Sequence, residues 1–167
     1  MMFKSALIRR LALAMTVFSL VAATGCSKKH KEDEGTANNA MAGDTNPLGD
    51  SDSGQAMGLQ TVHFPYDSFT LDSSGKSTLK ANADILKANA NVKVQVEGHC
   101  DQRGGIQYNI ALGEKRANAA KKFLEDNGIA GDRITTISYG KEKPLDASES
   151  EAAYAKNRRA NFAVTSK

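Results

Sequence analysis

Along residues 59–167 two hydrophobic periods alternate, and each switch between them marks an element. Val62 and Phe64 flank His63 in a run that Pro65 and a polar turn stop, which predicts a short first strand over 61–64. Asp72, Ser73 or Ser74 can cap a helix reaching about Ala90, because Leu79, Ala83, Leu86 and Ala90 recur on one stripe at helical spacing. Val92, Val94 and Val96 then alternate strictly with polar residues over 91–97, the pattern of a strand with one core face. A loop over 98–107 leads into a second helix from about Tyr108 to Asn127, whose core stripe is Ile110, Ala117, Ala120 and Leu124. Gly128 followed by Ile129 is the glycine cap that ends it. Residues 134–139 read as a third strand, 141–150 as a loop and 151–156 as a short helical turn. Residues 159–164 read as a last strand with Ala160, Phe162 and Val164 inward. The order βαβα followed by two strands packs most simply as an α/β (α+β) two-layer sandwich. It has a mixed four-stranded sheet with two main helices on one face.

The first 58 residues have a different character. Lys4, Arg9 and Arg10 precede an apolar run over 11–23, shorter than the roughly 20 residues of a membrane-spanning helix, and residues 1–25 read as a signal peptide. The ending Ala23-Thr24-Gly25-Cys26 resembles the bacterial lipobox, with Ala23 where that motif usually has Leu. The resemblance implies that Cys26 is acylated and becomes the N-terminus. Several acyl chains on one residue anchor durably where a single chain is marginal. Ser27 replaces the Asp that the bacterial sorting rule reads as inner-membrane retention, so the expected place is the outer membrane, with the domain in the periplasm. Residues 26–58 are rich in Gly, Asn, Asp and Ser, carry few large apolar side chains and are expected to be a flexible linker. As a coil its span is about 30 Å. The folded domain is accordingly expected over 59–167.

Composition narrows the function. A chain of 167 residues with 40% hydrophobic and 25% charged residues has room for one ordinary domain. The net charge of +3 is carried by Lys4, Arg9 and Arg10, and the remainder balances, which argues against nucleic acid as a partner. Three His and two Cys, with His30 and Cys26 outside the domain, give no metal-ligand spacing, and no cofactor is expected.

The stretch His99–Arg116, HCDQRGGIQYNIALGEKR, puts opposite charges beside a glycine turn at the opening of a helix. At 100° per residue Asn109, Leu112 and Arg116 fall within about 60° of one another, so one face presents an amide, an apolar contact and a guanidinium. Arg116 can take a carboxylate bidentately and Asp101 can accept from an ammonium, a pair suited to a zwitterionic amino-acid head group. Residue types alone leave a second arrangement open, in which Asp101 and Arg116 pair with each other across the loop.

The segments VEGHCDQRG, YNIALGEKRA, ISYGKEKP and AAYAKNRRA, in this order and spacing over about 60–165, resemble the outer-membrane-protein-A-like domain family, in its wall-associated lipoprotein branch. The resemblance implies an OmpA-like fold and non-covalent binding of peptidoglycan through the meso-diaminopimelate of its stem peptide. On the matching positions Asp101 would hold the ammonium and Arg116 the carboxylate. Tyr66, Asp67, Asn109, Leu112 and Arg159 would complete the pocket, with backbone amides of the turn 64–68 facing the carboxylate. It also implies a protein partner, the TolB propeller of the Tol-Pal system, and a part in membrane integrity and in membrane invagination at division.

Cys100 stands where the family usually has Ala or Thr; with Cys26 acylated it has no disulfide partner and is expected to be partly buried. As a nucleophile it would need a base, and His99 beside it is best read as chance adjacency. The reading is a binding protein with no catalytic residue. Its rivals are a generic wall-anchoring lipoprotein without a Tol partner and, more distantly, a cysteine hydrolase acting on the wall.

Overall fold

A computed structural model describes residues 48–167. The elements are β1 (Val62–His63), α1 (Ser73–Ala88), β2 (Lys93–His99), α2 (Ile106–Asp126), β3 (Ile134–Gly140), α3 (Glu151–Asn157) and β4 (Arg159–Ser166), with a single 3-10 turn at Gly131–Arg133. The four strands form one mixed sheet in the order β1-β4-β2-β3. The pairs β1–β4 and β4–β2 are antiparallel and β2–β3 is parallel, as a helical crossover through α2 requires.

Local chemistry explains the boundaries. Asp72 caps α1 by accepting from the Gly75 amide at 2.7 Å, and Ser150 caps α3 through Ala153 at 3.2 Å. Gly128, at φ +90°, ends α2, while the Ile129 amide reaches back to the Leu124 carbonyl and its side chain is buried. β2 runs two residues further than its valine alternation and α2 starts two residues earlier than expected. Ala90 lies beyond α1 and is exposed, so that stripe ends at Leu86.

The core lies between the sheet and the two long helices. Val62, Val94, Val96, Ile134, Ala160, Phe162 and Val164 meet Leu79, Ala83 and Leu86 of α1 and Ala117, Ala120 and Leu124 of α2. α2 approaches β2 unusually closely near the strand's end. A Cβ built on Gly98 would overlap the Gly113 carbonyl, and one on Gly113 would overlap the Ser138 hydroxyl. That hydroxyl donates to the Ile110 carbonyl at 2.7 Å. The two glycines thus let the face of α2 carrying Asn109, Leu112 and Arg116 sit directly under the end of β2.

The other face of the sheet corrects the expected linker boundary. Residues 48–58 belong to the fold: the Leu48 amide donates to Val164, Val164 to Gly49 and the Ser51 amide to Phe162, at 2.8, 2.8 and 3.0 Å. This segment continues the edge that β1 begins, because β1 occupies only Arg159 and Ala160 and leaves the rest of β4 open. Ala56 and Leu59 are buried in the core, and Asp52 accepts from Arg159 Nε at 2.9 Å. Ser51 and Asp52 meet the Asn161 amide oxygen, and Asn161 donates to Glu97 at 2.9 Å. Polar residues with no hydrophobic period therefore concealed a segment that bridges to the edge of β4.

His99 lies in this polar layer, 1% exposed, with its ring on Tyr139 and its Nε2 3.6 Å from Glu97. Burial lowers its pKa below the ordinary value of 6.5, against the opposing pull of Glu97.

Two outcomes follow from this layer. A fragment starting at residue 59 leaves Arg159, 3% exposed, without its carboxylate and should be less stable than a 48–167 fragment by about 3–5 kcal/mol in urea denaturation. The folded state also binds fewer protons at His99 than the unfolded chain. Stability should therefore be full above the unfolded value near 6.5 and fall as pH is lowered from 7.5 to 5.5. A His99→Gln variant should show a shallower slope in the same titration.

Candidate functional site

At the ends of β1 and β2 nearest the start of α2 the structure opens a cleft of about 200 Å³. It is lined by Tyr66 and Asp67 from the β1–α1 turn, Cys100, Asp101, Arg103 and Gly104 from the β2–α2 loop, and Tyr108, Asn109, Leu112 and Arg116 from α2. Six of the seven residues expected to form a pocket are therefore together: Asp101, Arg116, Asn109, Leu112, Tyr66 and Asp67.

Arg116 is fully buried and makes no ion pair with any described carboxylate. Its Nε donates to the Ser68 carbonyl at 2.9 Å, Nη1 to His99 at 2.8 Å and Nη2 to Pro65 at 3.2 Å. The guanidinium carbon stands 5.3 Å from the centre of the Phe64 ring. Burial lowers its pKa, although a guanidinium stays charged throughout the working range. Three of its five N–H donors are used, and the residue is among those lining the cleft.

The turn held by Arg116 is itself unusual. Asp67 adopts a left-handed φ of +51°, and its carboxylate accepts from the Tyr108 hydroxyl. The backbone N–H groups of Tyr66, Asp67 and Ser68 have no acceptor among the described residues.

Asp101 is 5% exposed and is not paired with Arg116. Its partners are Arg103, with Nη2 at 2.7 Å, and Arg158, with Nη1 at 3.3 Å. Burial would raise its pKa, but the hydrogen bonds from the Arg103 side chain and backbone, and from Arg158, outweigh it and hold the carboxyl below its ordinary value. Arg103 and Arg158 both reach Glu151 of α3, at 3.2 and 2.9 Å. The guanidinium of Arg103 lies between the rings of Tyr66 and Tyr154, 4.1 and 4.5 Å from their centres.

Arg159 is the expected pocket residue that the structure places elsewhere. It starts β4, points into the polar layer under the sheet and pairs with Asp52, while Arg158, the residue before it, faces the cleft side. Successive side chains alternate across a strand, so only one of two adjacent arginines can reach Asp101. Asn109 borders the cleft, but its amide nitrogen is committed to the Arg103 and Gly105 carbonyls at 2.8 and 3.2 Å, where it shapes the loop. Arg103, Arg158, Glu151 and Tyr154 were not assigned from sequence; for Arg103 the two-residue spacing from Asp101 was the available signal.

Cys100 is 2% exposed, and its thiol donates to the Asn109 carbonyl at 3.3 Å. Burial pushes its pKa up, which disfavours the thiolate. His99 is its neighbour in sequence but lies on the opposite face, against Tyr139 and Glu97. Among the described residues no cluster of His, Cys, Asp and Glu is arranged to hold a metal ion.

The chain is 34% identical over 164 residues, 95% of each chain, to a protein of Mesorhizobium japonicum named peptidoglycan-associated lipoprotein. A protein of the same name from Pasteurella multocida is 45% identical over 103 residues, which is 62% of this chain and 69% of that one. Among solved structures, the peptidoglycan-associated lipoprotein from Burkholderia pseudomallei superposes with a TM-score of 0.60 at 35% identity, covering 62% of this chain and 88% of that one. The OmpA family matches residues 63–158, a span from the last residue of β1 to the second arginine that holds Asp101. With three helices and a mixed four-stranded sheet among the described residues and this match over more than half its length, the chain belongs to the OmpA family.

Proposed function

We propose that the chain is an outer-membrane lipoprotein whose domain binds peptidoglycan non-covalently through the free end of meso-diaminopimelate. The observation that carries this reading is Arg116, a buried guanidinium held by three carbonyls and by no carboxylate of the described residues, beside an open cleft. A buried cation is costly unless an anion meets it, and a ligand carboxylate supplies that anion in a geometry the guanidinium fork matches. The Asp67 and Ser68 amides of the neighbouring turn, without acceptors among the described residues, are available as further neutral donors. Asp101 supplies the negative side for an ammonium, and the D-centre of diaminopimelate carries one of each charge. Tyr66, Asp67, Asn109 and Leu112 then serve as walls, and Arg158 takes the supporting part expected of Arg159.

Wall association agrees with the names of the relatives in Mesorhizobium, Pasteurella and Burkholderia. Anchoring through Cys26, which lies outside the described residues, is supported by the Thr24-Gly25-Cys26 ending and by the basic and apolar residues before it. The buried, high-pKa thiol of Cys100, turned away from His99, favours binding over hydrolysis.

The full chain in detergent should sediment with peptidoglycan of the diaminopimelate type and stay in solution with the lysine type. Asp101→Asn and Arg116→Lys, checked for folding by circular dichroism, should each weaken pelleting by on the order of 2 kcal/mol or more. Equal pelleting of both variants and the parent chain would overturn the assignment.

A place in the Tol-Pal system, with TolB as a protein partner and a role in membrane integrity and invagination at division, rests on the stretches ISYGKEKP and AAYAKNRRA. Crosslinking in cells should recover TolB with the chain. Recovery of wall fragments without TolB would favour a generic wall anchor instead.

A further inference from the structure

The carboxylate of Asp101 is already saturated. Oδ1 accepts from the Arg103 backbone N–H at 3.1 Å and from its Nε at 3.3 Å, while Oδ2 accepts from Arg103 Nη2 at 2.7 Å and Arg158 Nη1 at 3.3 Å. An ionised carboxylate offers about four lone-pair positions. An ammonium can therefore be accepted only when a guanidinium withdraws.

The two guanidinium groups are not equally free to leave. Arg158 has a side chain 9% exposed and is pinned by Nε to the Phe64 carbonyl at 3.2 Å and by Nη1 to Glu151 at 2.9 Å. Arg103 has a side chain 34% exposed, sits on the β2–α2 loop and already touches Glu151 at 3.2 Å with Nη1. Its guanidinium lies between two aromatic faces that extend from the cleft mouth, at Tyr66, to α3, at Tyr154. Glu151, 66% exposed at its side chain, precedes Tyr154 by three residues on that helix, hence on the same side.

We propose that a ligand ammonium reaches Asp101 by guanidinium exchange, in which Arg103 withdraws along the faces of Tyr66 and Tyr154 onto Glu151 while Arg158 remains in place. The proposal rests on the diaminopimelate reading of the cleft. Asp101 trades one cation for another, so its charge stays matched. Arg103 gives up Asp101 but keeps the carboxylate of Glu151, which it already meets at 3.2 Å, and its aromatic contacts. The resting seat of Arg103 on Asp101 lowers the apparent affinity by the fraction of molecules in which the site is open. Arg103 and Glu151 are thus positioning residues that act through Asp101.

The test is calorimetric titration of the full chain in detergent with a muramyl tripeptide ending in meso-diaminopimelate. Arg103→Gln should bind about tenfold tighter, because the internal competitor is gone. Glu151→Gln should bind about fivefold more weakly in the parent chain and should lose most of that effect in the Arg103→Gln background, where only its contact with Arg158 remains, a non-additivity that a merely structural role of Glu151 does not produce. Weaker binding by Arg103→Gln, or the same loss for Glu151→Gln in both backgrounds, would overturn the exchange while leaving the ligand assignment intact. No binding by the parent chain would overturn both, and the two failures are thereby distinguished.

Discussion

A full positive charge withdrawn from solvent, with carbonyl oxygens as its only hydrogen-bonding partners among the described residues, is the interaction on which this domain's cleft depends. Arg116 joins three separate pieces of chain: the turn after β1 through Pro65 and Ser68, the end of β2 through His99, and α2, which carries it. Partial charges on three carbonyls orient a guanidinium but do not neutralise it, so the arrangement keeps a standing demand for an anion. The turn between the Pro65 and Ser68 carbonyls that accept from Arg116 also leaves the Tyr66, Asp67 and Ser68 amides without acceptors among the described residues. One buried side chain therefore both sets an uncompensated positive charge beside the cleft and fixes the turn that lines it.

That position for Arg116 depends on the approach of α2 to the sheet. Gly98 and Gly113 touch where any side chain would force the helix away, and the Ser138 hydroxyl fills the space beside them. The negative half of the cleft has a separate support. Asp101 is held by Arg103 and Arg158, which share Glu151 on α3, and α3 is in turn fixed to its preceding loop by Asn157, whose side chain bonds the Leu145 and Asp146 amides and the Asp146 carbonyl. The two charges of the cleft rest on different scaffolds and do not neutralise each other, which leaves room for a ligand that carries both signs.

Much of the fold was legible because periodicity reports burial. Val92, Val94 and Val96, the stripe Leu79, Ala83 and Leu86, and the cap Gly128-Ile129 all lie where their patterns put them. Residues 48–58 escape such a reading for the same reason. Their segment joins the sheet through backbone hydrogen bonds and polar side chains, Ser51 and Asp52 above all, which leave no hydrophobic period to read. Six of the seven expected pocket residues line one cleft, since the spacing of Asn109, Leu112 and Arg116 on a helix fixes their common face.

The sequence by itself determined the elements, the helix face that borders the cleft and the charges available to it, because these depend on local spacing and residue chemistry. Tertiary structure alone decided how those charges are used. Whether Asp101 meets Arg116, Arg103, Arg158 or Arg159 depends on distances between residues far apart in the chain and on which side of β4 each arginine falls. It decided as well that Asp52 completes the underside and that Glu151 stands beside the cleft, since both are solvated acids in the sequence until β4 and α3 bring arginines to them.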